Sequence, residues 1–379
     1  MSAQISIIGG GIAGLTAALA FRRKGLEPLV FEAAPQFREI GAGIGLAANA
    51  IKAFEELGIA ADVIERGRIL PAFSVRDHKG RQITYTDSKI VSEKYGLDNF
   101  AIHRAGLHAY LLSQLDPVTL FSGKKAVDVT QDSGGVTIRF EDGSTQHTRY
   151  LVVADGIHSR LRKKLIPGSE PRYAGYTCWR AVIDDPGSGI SEAFETWGRD
   201  GRFGLTPLKG QLYWYACLNA PQQSEKHRNF GVVDLQKQFA AYHDPIPEVL
   251  AATTDDKLIW SDICDLEPVK RFAFGNIVFI GDAAHATTPN LGQGACQAVE
   301  DALVLAQEWD RHASGKEAFR SFEKRRLART HFVVNNSRRI GRIAQLENRL
   351  LIALRNAFFR SLPASAAERS FKKLYTVDF

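Results

Sequence analysis

The chain is 379 residues long, 45% hydrophobic and 24% charged, and carries a formal net charge of +6. That length exceeds one usual core and predicts two joined domains, while no apolar run approaches the roughly 18–20 residues that a membrane span needs. The mild positive charge suits anionic small molecules but comes without a basic-aromatic groove for nucleic acid, and the scattered cysteines Cys178, Cys217, Cys264 and Cys296 argue against a zinc or disulfide framework and fit a reducing, cytoplasmic setting.

The chain enters a first strand almost at once, with no basic leader ahead of it. Ile5, Ile7 and Ile8 form a β-branched run ending at Gly9, Gly10 and Gly11. Gly14 follows, and an apolar-periodic helix expected from Ile12 to Arg23 leads through Gly25 to Leu29-Val30-Phe31-Glu32. In the spacing Gly9-x-Gly11-x-x-Gly14, Gly9 allows a tight turn and Gly11 lets a pyrophosphate approach the backbone. Gly14 lets helix and strand pack closely. The helix start aims N–H groups and a positive dipole end at phosphates. Glu32 stands where a carboxylate accepts hydrogen bonds from ribose hydroxyls. This reads as a dinucleotide site, and the stretch alone leaves open which dinucleotide.

A second glycine cluster, Gly41-x-Gly43-x-Gly45, is either a flexible loop or backbone pressed against a cofactor. A helix expected from Asn49 to Leu57 closes at Gly58. Phe73 to Asp87 reads as a hairpin around His78-Lys79-Gly80. Arg104 falls at the start of a helix whose apolar face is Leu107, Leu111, Leu112 and Leu115. The dipole disfavours a cation there, so Arg104 is either solvated or bound to an anion. Strands expected over Lys125 to Gln131 and Val136 to Glu141 run into Tyr150-Leu151-Val152-Val153, apolar enough to be buried on both faces. That strand ends in Asp155-Gly156, with Ser159 and Arg162 behind it.

From Tyr173 to about Ile263 the chain is strand-rich and aromatic, with Trp179, Phe194, Trp197, Phe203, Tyr213, Trp214, Tyr215 and Trp260. It reads as a second domain on an antiparallel sheet, interrupted by a helix near Val233 to Tyr242. Most of these aromatics are expected in its core. Another buried strand, Ile277 to Ile280, ends at Gly281-Asp282, and Pro289, Gly292 and Gly294 lead into a long helix from about Ala295 to Arg311. His285 between them is expected to be structural, with a base as the alternative. After Gly315 the chain is helical and basic to near Leu362, with Leu346, Leu350, Leu354 and Phe358 as its apolar stripe. The stripe is expected to dock on its own domain, with a membrane surface as the other possibility.

Taken together, Gly9-x-Gly11-x-x-Gly14 with Glu32, Asp155-Gly156 with Ser159 and Arg162, and Gly281-Asp282 with Pro289, Gly292 and Gly294 resemble the single-component FAD-dependent aromatic hydroxylases in order and spacing. The resemblance covers the whole chain. Around Thr287-Thr288-Pro289 and Gly292-Gln293-Gly294 it looks like the smaller members, of salicylate hydroxylase and urate hydroxylase type. A late strand-acid-glycine-helix unit favours FAD over NAD, because the longer cofactor reaches a second strand end. The implied fold is α/β: a Rossmann-like FAD-binding domain of glutathione reductase type, an antiparallel-sheet substrate domain and C-terminal helices. The implied division is a discontinuous FAD-binding domain (1–72, 100–170 and 268–330), a substrate-binding sheet (73–99 and 171–267) and a C-terminal helical segment (331–379).

By the same resemblance, cofactor contacts are expected at Gly9, Gly11, Ala13, Gly14, Glu32, Ala33, Arg38, Gly45, Arg104, Val127, Asp155, Arg162, Asp282, Pro289, Gly292, Gln293, Gly294, Ala295 and Cys296. Asp282 would hold the ribitol, Arg104 would approach the phosphates, and the helix after Gly294 would face the flavin N1–C2 edge. Cys296 departs from the pattern, since many relatives carry Asn there.

The implied reaction is monooxygenation. NADH or NADPH reduces FAD as a transient co-substrate, and O₂ forms a C4a-hydroperoxide that hydroxylates an aromatic or heteroaromatic ring. No metal and no obligatory catalytic side chain are implied. Arg202 and Tyr213, with Arg180 as a third candidate, are expected to bind substrate, Arg202 facing an anionic or carbonyl-bearing ring. The alternatives are an epoxidase or reductase acting on a lipid-like or polycyclic substrate, and a non-catalytic FAD protein. A plain NAD dehydrogenase is disfavoured by the late glycine unit. The expected assembly is a monomer or homodimer, with no nucleic acid and no integral membrane segment.

Overall fold

The β-branched strand Ala3–Ile8 is the middle of a parallel array. Leu29–Phe31 pairs parallel on one side and Thr145–Val153 on the other, so that Ile8 lies opposite both Phe31 and Val153. Ile277–Phe279 adds beyond Thr145–Val153, and Leu120–Phe121 beyond Leu29–Phe31. Five strands therefore release their carboxyl ends at one edge. A hairpin, Ala126–Gln131 and Val136–Phe140, extends this sheet antiparallel. The array is described by a computed structural model covering residues 3–38, 41–97, 99–363 and 371–379.

The central strands are apolar on both faces because both faces are covered. Ile5, Ile7, Leu151, Val152, Val278 and Phe279 are all buried. Helices Ile12–Arg22 and Gly294–Arg311 pack against each other over the sheet. Small residues permit that approach: Ala17, Ala18 and Ala20 on the first and Ala298, Ala302 and Ala306 on the second are buried.

The second sheet has seven strands, in the order Ile259–Asp265, Arg172–Asp184, Gln211–Asn219, Gly201–Pro207, Ala193–Gly198, Ala72–Asp77 and Gln82–Asp87. All neighbours are antiparallel except Ala193–Gly198 and Ala72–Asp77. The period of two sorts its faces. Trp179, Ala181, Phe203, Leu205, Trp214 and Ala216 pack on Leu235, Phe239, Ile246 and Val249 from two short helices, Val232–Gln238 and Ile246–Ala251. The alternate residues, Cys178, Arg180, Val182, Tyr213, Tyr215 and Cys217, take the other face. A small sheet of Gly43–Leu46, Phe100–His103 and Arg68–Ile69 joins the two halves.

The C-terminal region is two helices, Gly315–Ala344 and Arg349–Ser361, and Asn348 starts the second by accepting the N–H groups of Leu350 and Leu351. Phe319, Phe322, Thr330, Val333 and Val334 form one buried face along the first. The apolar stripe of the second differs from expectation: it does not dock. Leu350, Leu354 and Phe358 are exposed, Leu346 is half-buried, and the second helix buries Arg355 and Asn356 instead. Residues 364–370 of the expected segment lie outside the described ones. Among the described residues, no helix is long and apolar enough to cross a membrane.

Candidate active site

The parallel register brings Gly9, Glu32, Asp155 and Gly281 to the same carboxyl edge, where α/β sheets take ligands. Gly9 turns with φ +105°, and a Cβ there would fall on the Ala154 carbonyl. A Cβ at Gly14 would fall on the Gly9 carbonyl, so both glycines are sterically required. The Glu32 carboxylate is already oriented, accepting the Gly10 N–H at 2.7 Å and the Ala34 N–H at 2.7 Å. His108 Nε2 lies 2.7 Å from the Gly10 carbonyl. A carbonyl only accepts, so that nitrogen carries the proton and His108 steadies the turn. Ala33 is exposed beside Glu32. Lys124 donates its N–H to the Glu32 carbonyl, and Val127 lies in the strand Ala126–Gln131 that follows.

At the next strand end, Asp155 Oδ1 is buried without a hydrogen-bond partner among the described residues. Burial pushes its carboxyl up to about 6, with Glu32 adding to the rise and the Ser159 hydroxyl and Arg162 opposing it. Arg162 is fully buried and donates to the carbonyls of Gly156, Ser169 and Ala283. Its guanidinium ties the Asp155-Gly156 turn to the Gly281-Asp282 strand end. Carbonyl acceptors surround the group, which gives Arg162 a positioning role at this turn.

Gly281 sits against Ala13, where a Cβ would come within 2.8 Å of the alanine methyl, so the first and last glycine units touch. Asp282 is exposed at the edge. Pro289–Leu291 forms one 3-10 turn, Gly292 takes φ +62°, and Gln293 opens the Gly294–Arg311 helix. Neither this helix nor Ile12–Arg22 has a side-chain cap or an acid in its first turn. Ala295 lies in the first turn of the Gly294 helix, and Cys296 Sγ accepts the Ala47 N–H at 3.4 Å, tying that turn to the end of the Gly41–Gly45 loop.

A buried polar network that the sequence did not reveal stands behind this helix start. Gln293 accepts from Asn49 and Gln297, and Glu300 takes both Arg326 and Arg329. Asp301 takes Arg326, the Gly281 N–H and His285 Nε2, the last at 2.6 Å. Burial alone would raise Glu300 and Asp301, but Arg326 with Arg329 holds Glu300 below its usual range, and His285 with Arg326 does so for Asp301. His285 is structural. The only hint in the sequence was two acids on an otherwise buried helix face.

Across the groove, Gly41 lies against the Arg104 side chain, and the Arg104 N–H donates to the Ala42 carbonyl. Gly43 lies under Tyr213, whose ring would be 2.7 Å from a Cβ at that position. Gly43 is thus glycine because a tyrosine of the seven-stranded sheet takes the space, while Gly45 and Arg38 are exposed. Burial pushes the Tyr213 phenol well above its usual range. Arg180 donates to the Ser261 hydroxyl at 2.6 Å. Arg202 is buried and ion-paired with Glu195 at 2.9 Å, and it also donates to Asn290 and Gln345. Burial works against its charge, and Glu195 together with Cys217, Tyr176 and Tyr215 more than restores it. Tyr213, Arg180 and Arg202 all lie on the sheet face turned toward the glycine loop. Glu195, Asn290 and Gln345 were not foreseen as the partners of Arg202.

These residues fit an extended, diphosphate-bearing dinucleotide. Two sterically required glycines cradle its backbone, two helix starts lack side-chain caps, a pre-oriented acid stands at one end, and a buried carboxyl oxygen awaits a partner. A family model described as an FAD binding domain matches residues 2–337. The chain is 35% identical to the aurachin C monooxygenase/isomerase of Stigmatella aurantiaca, covering 96% of this chain and 95% of that protein. It is 33% identical to the 2-heptyl-3-hydroxy-4(1H)-quinolone synthase of Pseudomonas aeruginosa, covering 98% and 97%. The crystal structure of Klebsiella pneumoniae HpxO with FAD and uric acid matches with a TM-score of 0.90 at 28% identity, covering 98% of this chain and 96% of that one.

Proposed function

The chain belongs to the FAD binding domain family, and we propose that its substrate is a neutral bicyclic heteroaromatic of the quinolone type. It is an FAD-dependent monooxygenase that uses NADH or NADPH and O₂ to hydroxylate an aromatic or heteroaromatic small molecule. The observation that carries the substrate reading is the ion pair of Arg202 with Glu195. A guanidinium whose charge is already met offers N–H donors to a ring carbonyl without demanding an anion. The two relatives cited at 35% and 33% identity include one named for a quinolone product.

Bound FAD supplies the redox chemistry, by which one atom of O₂ enters the ring and the other leaves as water while NAD(P)H is oxidised. The protein's part is to hold and orient. Glu32 and the Gly9–Gly14 turn would take the nucleotide half, and Asp282 with the Gly294 helix start the flavin half. The dipole of that helix favours negative charge at its N-terminus. Tyr213 pins the Gly41–Gly45 loop, and the sheet face with Val182 and Tyr215 walls the ring from water.

The test is NADH and NADPH oxidation by the FAD-loaded enzyme with 4-quinolones, salicylate and urate, with product mass recorded. A quinolone that accelerates oxidation and gains one oxygen is expected. Coupled hydroxylation of salicylate or urate with quinolones silent would overturn the substrate reading and leave the monooxygenase class intact.

A further inference from the structure

We propose that the outward face of the Arg349–Ser361 helix docks this enzyme on the surface of an anionic lipid bilayer. Leu350, Leu354 and Phe358 repeat at every fourth residue and are 68%, 59% and 60% exposed, with Leu351 beside them. They make one stripe along the helix. The opposite side meets the protein through Arg355, Asn356 and Phe359, whose ring packs edge-on against Trp197. Arg355 is buried, donates to the carbonyls of Ile343, Ala344 and Trp197, and lies 5.0 Å over the Trp197 ring. An amphipathic helix ordinarily turns its apolar side inward. Here a buried arginine clamp holds the helix with that side facing out. A contiguous row of bulky apolar side chains, unlike scattered single ones, marks an interaction surface.

Charge selects the partner. Arg325, Arg326, Arg329 and Arg338 of the preceding helix are ion-paired with acids of other elements, so the charge that counts is what remains at the surface beside the stripe. Arg349 is exposed at the start of the helix and Arg339 and Arg342 on the last turns of the helix before it, while Arg360 at the far end is paired with Asp77. A second copy seated on this face would bring those cations against their own kind. An anionic bilayer meets both the stripe and the charge. The stripe is too short to span, so the helix would lie in the headgroup plane. This proposal is independent of the substrate reading.

The test is co-sedimentation of the FAD-loaded full chain with vesicles of phosphatidylglycerol and phosphatidylcholine, and with phosphatidylcholine alone. Binding to the anionic vesicles is expected. The double variant Leu354→Glu, Phe358→Glu should reduce it by roughly tenfold or more, with melting temperature and flavin content unchanged because both positions are exposed. Failure of the native chain to bind anionic vesicles at low salt would overturn the proposal, as would equal binding by the variant. A dimer in sedimentation velocity that the same variant dissolves would assign the face to a second copy instead.

Discussion

Arg202 Nη1 stands 2.9 Å from Glu195 Oε1, diagonally across the antiparallel pair of Ala193–Gly198 and Gly201–Pro207. Gly204 faces Glu195 directly in that register, and the space above Gly204 is taken by the Tyr215 ring. The sheet face over the cofactor groove therefore carries a cation, an anion and a phenol together. Its net charge at the arginine is balanced from within the protein.

Removing either partner of that pair has a different signature. Arg202→Ala strands a buried carboxylate and should cost about 3–5 kcal/mol of stability, part of which the Glu195→Ala, Arg202→Ala double variant recovers. Glu195→Gln leaves the cation unmet and should shift the KM ratio toward salicylate over a quinolone by roughly tenfold. Denaturant melts and steady-state kinetics read the two effects. An Arg202→Ala protein as stable as the native one would contradict this account.

Glu32→Ala removes the acceptor for the Gly10 and Ala34 N–H groups and the carboxylate meant for the ribose. FAD affinity should fall roughly 10–100-fold, since hydrogen bonds to charged groups contribute about 1.5–3 kcal/mol. Flavin fluorescence titration measures it. Unchanged affinity would place the nucleotide half elsewhere.

Two glycine substitutions should separate cofactor from substrate. Gly14→Ala drives a methyl into the Gly9 carbonyl and should abolish flavin loading. Gly43→Ala drives a methyl against Cβ, Cγ and Cδ1 of Tyr213, the root of that side chain, and so parts the loop from the sheet; flavin content should hold while KM for substrate rises. Absorbance of the purified proteins and their kinetics distinguish the outcomes.

Asp155 gives a pH signature to the FAD-free protein. Its folded pKa, raised to about 6 from an ordinary 3.8, means that between those values the fold holds a proton that the unfolded chain has released. Stability from this group therefore falls as pH rises through that window and is level above it. The loss is at most on the order of 2–3 kcal/mol. Asp155→Asn should raise the melting temperature at pH 7.5 and leave it near native at pH 4. An equal change at both pH values would rule out the buried carboxyl as the cause.

Reading the chain alone reached the glycine turns and the acids that follow the strands, because each is settled within a few tens of residues by turn chemistry. It placed Arg202 and Tyr213 on the second sheet, but not their partners. Glu195, Asn290 and Gln345 lie 7, 88 and 143 residues from Arg202 and reach it through different elements. No local pattern encodes such a meeting.

The C-terminal stripe teaches the same lesson in reverse. Sequence determined that Leu350, Leu354 and Phe358 share one side of a helix, since 3.6 residues per turn allow nothing else. Only the tertiary structure decided that this side faces outward, because carbonyls at Ile343, Ala344 and Trp197 captured Arg355 and the Trp197 ring took Phe359. Likewise the sequence determined four strand ends bearing glycine or acid. Their meeting at one edge was decided by parallel register between strands more than a hundred residues apart. Periodicity sets which residues share a face, and long-range packing sets what that face meets.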